Sequence, residues 1–148
     1  SGNISHAAKG SPGNISASFS ELYTTQSYVY LPYTHIYNIQ TGSDGTPALF
    51  QITPLGTNEL VNNVQSMIIL YGIDTDADGS ANRYVRANNV TDMATVVSVR
   101  VSLLMQSLED KLTTKPQPYI FNGATVTPTD YRVRRVYTAT VSLRNRSS

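Results

Sequence analysis

Cysteine is absent from the sequence, which excludes disulfides, zinc–thiolate sites and thiol nucleophiles. Charge is also scarce. Only 14% of the residues are charged and the net charge is +1, so the chain has no basic field that would attract nucleic acid or an anionic membrane surface. We therefore expect no nucleic-acid partner.

Long apolar runs are missing as well. The longest extends from Met67 to Ile73 and is broken only by Gly72, whereas a membrane-spanning helix needs about 20 apolar residues. The sequence thus predicts neither a transmembrane helix nor a signal peptide. A hydrophobic content of 40% suffices for one ordinary core, so we predict a single domain over residues 1–148. Residues 1–20 are rich in Ser, Gly, Asn and Ala without periodicity and are predicted to form a flexible leader.

Patterns typical of catalysis are also lacking. The only histidines are His6 and His35, and no Gly-x-Ser-x-Gly nucleophile elbow is present. Gly42-Ser43-Asp44-Gly45 has neither the spacing nor the lysine of a phosphate-binding loop. We predict that the protein is not an enzyme.

Three segments have the residue pattern of strands. Met67–Tyr71 is a bulky, β-prone run, and 96–105 and 133–143 alternate apolar with polar residues at a period of two. The two alternating segments are predicted to be antiparallel neighbours, with the apolar face in the core and the polar face in water. Arg83–Arg86 is predicted to pair back on Met67–Tyr71 as a hairpin.

Helical signals are short. Asn58 can cap a helix from Glu59 to Ser66, in which Leu60, Val61 and Val64 form an apolar stripe, and Thr91 can cap one further turn. The predicted fold class is therefore α+β, an antiparallel sheet with one or two short helices packed on its core face.

An acidic loop follows the first of these strands. Its carboxylates alternate before Gly79 as in the first half of an EF-hand calcium loop, but Val85 stands where that loop needs a bidentate Glu. Asp92 is a further oxygen donor from outside the loop. The candidate calcium ligands are Asp74, Asp76, Asp78, Ser80 and Asn82. A calcium site and an exposed Asp-rich turn both remain open, and calcium is the only cofactor predicted.

Tyrosines and arginines offer two further surfaces. The first is either a binding face or half-buried strand packing, formed by Tyr28, Tyr30, Tyr33 and Tyr37. Arg132 and Arg134, on alternate strand positions, form either a positive strip for an acidic partner or a solvated face. Arg135 falls on the apolar face, so it is expected to pair with a carboxylate or to lie at the end of the sheet.

Three stretches together resemble a known family. The first runs from Leu60 to Gly79 and includes Leu70-Tyr71-Gly72-x-Asp74-Thr75-Asp76-x-Asp78-Gly79, and the second is Val96–Leu104. The third runs from Arg134-Arg135-Val136-Tyr137 to Leu143-Arg144-Asn145-Arg146. In order and spacing they resemble the C-terminal part of the PilW family, minor pilins of bacterial type IV pili.

The resemblance implies a pilin- or pseudopilin-like head, similar to pseudopilin J of type II secretion, with an N-terminal anchoring helix that is absent from this sequence. It implies a structural role in priming pilus assembly and a place at or near the pilus tip, with other minor pilins and the filament as partners. It also implies an inner-membrane anchor with the head in the periplasm, and later an extracellular position in the pilus. The alternative is a soluble calcium-dependent surface or carbohydrate-binding module that uses the tyrosines.

Overall fold

The computed structural model describes Tyr28, Tyr30 and residues 32–143. Backbone contacts divide the chain into two units, Ser1–Pro32 and Tyr33–Ser148. Residues 1–20, where the sequence predicts a leader, lie outside the described residues, as do Arg144 and Arg146.

Nearly all the regular structure of the second unit is antiparallel β-sheet. In chain order the strands are β1 (Ile36–Thr41), β2 (Pro47–Thr53), β3 (Gly56–Asn62), β4 (Val64–Ile73), β5 (Arg83–Val85), β6 (Val96–Gln106), β7 (Tyr119–Phe121), β8 (Ala124–Val126) and β9 (Arg134–Ser142). Within the described part of the chain, the helical pieces are two 3-10 turns, Ala87–Asn89 and Met93–Thr95. The α+β prediction, with helices packed on a pilin-like sheet, is therefore wrong.

Three sheets result from these strands. β1, β2 and β3 form a meander, β7 and β8 form a hairpin, and the four-stranded sheet has the order β5-β4-β6-β9. The predicted strands at 67–71, 96–105 and 133–143 all fall in the four-stranded sheet, and β6 pairs antiparallel with β9 as expected. The predicted hairpin across the acidic loop is also confirmed, because β5 pairs with the end of β4.

The helix predicted from Glu59 to Ser66 is instead the end of β3 and the start of β4. Val61 pairs with Leu49 of β2, and Asn63 has a φ of 61°, a left-handed conformation that an α-helix does not contain. Asn63 therefore turns the chain from the meander into the four-stranded sheet. The turn that Thr91 was predicted to cap forms one residue later, where Asp92 is the cap and its Oδ1 accepts a 2.8 Å hydrogen bond from the Ala94 N–H.

The buried apolar core is small for a unit of this length. It lies around the point where β3 passes into β4 and along the buried parts of β2, β4 and β6. Its members are Ala48, Leu49, Val64, Ile73, Val96, Val97 and Leu104. Among the described residues, the largest fully buried side chains are valines, Val64 and Val96. Many of the large apolar side chains in the described part of the chain are consequently exposed.

None of the described helical segments has the length and apolar character needed to cross a membrane.

Candidate functional site

The acidic loop joins β4 to β5 and is organised by Asp74. This residue is 9% exposed, and its Oδ1 accepts hydrogen bonds from the Asp76 and Ala77 N–H groups at 3.1 and 2.7 Å. Its Oδ2 accepts from the Gly79 N–H at 2.8 Å. These N–H donors, that of Gly79 foremost, lower the pKa of Asp74. Asp74 thus holds the loop closed through the backbone.

The three loop aspartates lie close together. Each offers a carboxylate oxygen, and these oxygens are within 4.8 Å of one another at Asp74, Asp76 and Asp78. The loop also lines a cleft of about 350 Å³ with Ala94, Thr95 and Val97. Three carboxylates at this spacing repel one another in water unless positive partners offset the charge.

The other predicted ligands have different partners in the structure. Asn82 turns its Nδ2 toward Asp76 Oδ2 at 3.2 Å, whereas its Oδ1 accepts from the Thr75 N–H and Oγ1 at 2.6 and 3.0 Å. The Ser80 N–H donates to Asp78 Oδ1 at 2.7 Å. Asp92 is not among the carboxylates grouped here and caps its own 3-10 turn. The donor groups of Asn82 and the backbone therefore offset part of the carboxylate repulsion.

A cluster that sequence reasoning missed lies on the polar face of the four-stranded sheet. The Arg100 guanidinium is 3.5 Å from the centre of the Tyr84 ring, and its Nε donates to Thr140 Oγ1 at 3.2 Å. The Tyr84 hydroxyl lies 3.3 Å from Ser98 Oγ, and this bond, followed by the Arg100 charge, lowers the Tyr84 pKa. The cluster joins β5, β6 and β9, and the register across β6 was the only sequence signal that could have placed it.

The arginines near the start of β9 do not form the predicted basic strip. Arg134 is 5% exposed in its side chain and pairs with both oxygens of Asp130 at 2.6 and 2.7 Å, while its Nε donates to Gln65 at 2.7 Å. Arg132 Nη1 donates to the backbone carbonyls of Ser107 and Leu108. The prediction of a positive strip is wrong, because both guanidinium groups donate to acceptors within the fold. Arg134 lowers the pKa of Asp130 to about 2, mainly through these hydrogen bonds.

Register places a continuous set of apolar side chains on the opposite face of the four-stranded sheet, which we call the apolar sheet face. Its members are Met67, Ile69 and Tyr71 of β4, Val99, Val101, Leu103 and Met105 of β6, and Tyr137, Ala139 and Val141 of β9. The alternation predicted for β6 and β9 is confirmed. The predicted burial is wrong, because Tyr137 is 54% exposed and Val141 is 60% exposed.

One side of the apolar sheet face meets the meander. Tyr37 and Leu49 line an apolar cavity of about 250 Å³ together with Met67, Ile69, Val101 and Leu103. The β9 side lies beyond this cavity, and Arg135 lies at its end, opposite Met105. The sequence predicts that Arg135 pairs with a carboxylate or lies at the end of the sheet, and its position as the second residue of β9 confirms the second outcome.

The tyrosines and His35 make few contacts that indicate a site. The Tyr28 and Tyr30 rings are about four-fifths exposed, with their centres 6.3 Å apart. Gln51 Nε2 donates to the Tyr37 hydroxyl at 2.8 Å and lies 3.1 Å from His35 Nδ1. Within the described residues, His35 has this amide as its hydrogen-bond partner, and the tyrosine binding face stays a prediction.

Comparison with known proteins gives one match. A family model described as Type IV Pilus-assembly protein W matches residues 36–145, more than half of the chain. No curated protein and no solved structure matches. The match covers the strands that carry the apolar sheet face and the acidic loop, and it confirms the resemblance seen in the sequence. The chain therefore belongs to the PilW family of type IV pilus-assembly proteins.

Proposed function

We propose that the protein is a structural subunit of the type IV pilus, a minor pilin, that joins its neighbours by burying the apolar sheet face. Family membership gives the broader role in pilus assembly, with pilus proteins as partners and an association with the cell envelope. The proposed mechanism is docking to neighbouring subunits without a chemical step. We propose a structural role and no enzymatic activity.

The exposure of the apolar sheet face is the observation that carries this proposal. Monomeric soluble proteins rarely leave a contiguous apolar patch of this kind in water, and such patches mark interaction sites. The face crosses three paired strands. Its exposed part is mainly the β9 side, with Tyr137, Ala139 and Val141, whereas its β6 members are half-buried. Full burial of one such side chain contributes about 1.5–3 kcal/mol, so covering the half-exposed Tyr137 and Val141 would contribute about 1 kcal/mol each.

The finer role rests on the resemblance to minor pilins. We propose that an apolar N-terminal helix anchors the protein in the inner membrane with its head in the periplasm, and that the head later lies outside the cell. Other minor pilins would be its partners in priming assembly, at or near the tip of the filament. Mass spectrometry of the protein isolated from its native source tests this: a methylated N-terminal residue followed by a long apolar segment supports the proposal. A mature form without that segment contradicts it.

Two neighbouring residues of β9 allow a matched test of the docking face. Val141 lies on the apolar sheet face, and Ser142 lies on the opposite face next to it; both are exposed. Val141→Asp and Ser142→Asp therefore add the same charge at the same end of the same strand. In native cells we expect Val141→Asp to reduce surface pili strongly and Ser142→Asp to leave them near wild-type numbers. Equal pilus numbers in the two strains would contradict the proposal.

The second candidate is a calcium-dependent surface or carbohydrate-binding module. The observation in its favour is the grouping of the three loop carboxylates within 4.8 Å, because calcium takes oxygen ligands of this kind. This role predicts glycan binding that requires calcium and is lost when Asp76 and Asp78 are changed to Asn. A glycan array probed with calcium and with chelator tests it, and an array without calcium-dependent signal would remove it.

A further inference from the structure

Three arginines lie near the start of β9, and they differ in their side-chain partners. Arg134 is held by Asp130 and Gln65, and Arg132 is held by two backbone carbonyls. Arg135 is exposed, and its side chain makes no hydrogen bond or ion pair with any residue in the described part of the chain. Of these three guanidinium groups, that of Arg135 has no hydrogen-bond or ion-pair partner in the described part of the chain.

The surroundings of Arg135 are largely apolar. It lies opposite Met105 on the apolar sheet face, two residues from Tyr137 along the same side of β9. It lines a groove of about 240 Å³ with three apolar or aromatic residues and two polar ones, namely Met105, Val133, Tyr137, Gln106 and Ser107. No carboxylate lines this groove. The positive charge of Arg135 thus lies at one end of the apolar sheet face, whose other members are uncharged.

We propose that the apolar sheet face docks an apolar segment of a neighbouring pilus subunit that carries one carboxylate, and that this carboxylate pairs with Arg135. The inference rests on the proposed function, since it names the chemistry of the partner at the same face. The carboxylate lies over the groove at Met105 and Tyr137, where a guanidinium can bind both of its oxygens.

Desolvation is the physical reason for the pairing. A segment that covers Tyr137 and the groove also removes water from Arg135, and a guanidinium that loses water without gaining a partner destabilises the complex. A carboxylate in the docked segment supplies that partner. Segments that are equally apolar but uncharged, or that carry a lysine, would bind less well, so Arg135 selects among partners.

Variants of Arg135 in the full-length protein, expressed in its native cells, test the proposal. Arg135→Met keeps an apolar stem without the charge, and Arg135→Lys keeps the charge without the fork of donors. The matched control is Arg83→Met, because Arg83 is also exposed on a strand of the same sheet and its side chain has no hydrogen bond or ion pair in the described residues. The readout is the fraction of the protein that is recovered in sheared pili, measured by immunoblot.

We expect Arg135→Met to lower that fraction at least tenfold, Arg135→Lys to lower it less, and Arg83→Met to leave it unchanged. The urea midpoint of the purified Arg135→Met chain should stay close to that of the wild type, because the Arg135 side chain has no hydrogen bond or ion pair in the described fold and methionine keeps its apolar stem. From an Arg135→Glu strain, suppressors that restore pili should change an Asp or Glu of another pilus subunit to Lys or Arg.

Comparison of Arg135→Met with Val141→Asp distinguishes a failure of the carboxylate pairing from a failure of the docking face. If Val141→Asp removes the protein from pili while Arg135→Met does not, the docking face stands and the carboxylate pairing is refuted. If neither variant changes the fraction in pili, the proposed function and the pairing both fail. An effect of Arg135→Met equal to that of Arg83→Met also refutes the pairing.

Discussion

Replacing Asp130 by Asn should destabilise the protein at neutral pH and leave its stability nearly unchanged in acid. In the wild type, Asp130 binds both terminal nitrogens of Arg134 at 2.6 and 2.7 Å, and the Arg134 side chain is only 5% exposed. The substitution keeps the size of the side chain but leaves a nearly buried guanidinium without its counter-charge.

The magnitude follows from the pKa of Asp130, which falls from 3.8 to about 2 in the folded protein. One pKa unit corresponds to about 1.4 kcal/mol, so the full shift corresponds to about 2 kcal/mol. Because 31% of the Asp130 side chain stays in water, solvent screening reduces the expected loss to about 1–2 kcal/mol at pH 7.

The direction of the pKa shift determines how the stabilisation by Asp130 changes with pH. A carboxyl group whose pKa is lower in the folded state stabilises the fold above its unfolded pKa and loses that contribution as the pH falls through the folded value. The stabilisation by Asp130 should therefore decline below about pH 5 and be nearly gone at about pH 2.

Urea unfolding of the wild type and Asp130→Asn between pH 7 and the lowest pH at which both stay folded measures this difference. Glu109→Gln is the matched control, because Glu109 is exposed and its side chain has no hydrogen-bond or ion-pair partner in the described residues. A loss of the same size at every pH, or a loss no larger than that of Glu109→Gln, would refute the reasoning.

Two further predictions concern the end of β4 and the acidic loop that follows it. Gly72→Ala should lower the unfolding free energy by about 1–3 kcal/mol in urea titrations, because a Cβ there would overlap Ser98 Oγ and would lie 2.8 Å from Ala81 Cβ and 3.0 Å from the Tyr84 ring. An unchanged midpoint would contradict the packing seen at this position. If the acidic loop binds calcium, millimolar calcium should raise the melting temperature relative to chelator, and the double change Asp76→Asn with Asp78→Asn should abolish that increase; equal melting in calcium and chelator would exclude the site.

The sequence predicted the four-stranded sheet well because its strands have a strong local signal. The two-residue alternation extends over residues 97–103 of β6 and 137–142 of β9, and a strand is the structure with that period. The hairpin of β5 followed from the loop between two such segments. In these elements the local preference and the tertiary pairing agree.

The helix from Glu59 to Ser66 failed because its signal was weak. Three apolar residues in eight fit one turn of a helix as well as a short strand, and pairing of β3 with β2 decided between them. The run Asn62-Asn63 was the available warning, since Asn is among the residues that tolerate the left-handed conformation found at Asn63.

The candidate sites were predictable only where they are local in sequence. The grouping of Asp74, Asp76 and Asp78 follows from their spacing in one turn, and the structure brings them together. The Arg134–Asp130 pair depends on how the loop before β9 folds, and the contact of Arg100 with Tyr84 depends on the register of three strands. The alternation in β9 predicted which residues share a face, but burial of that face depends on what covers it.

The most direct test of the central claim is site-specific photo-crosslinking of the full-length protein in piliated native cells. Ala139 on the apolar sheet face and Thr138 on the opposite face are adjacent and exposed, so a photoreactive residue at each position differs only in the face it samples. The docking account predicts crosslinks to other pilus subunits from position 139 and few or none from position 138. Equal crosslinking from both positions, or none from position 139, would contradict it.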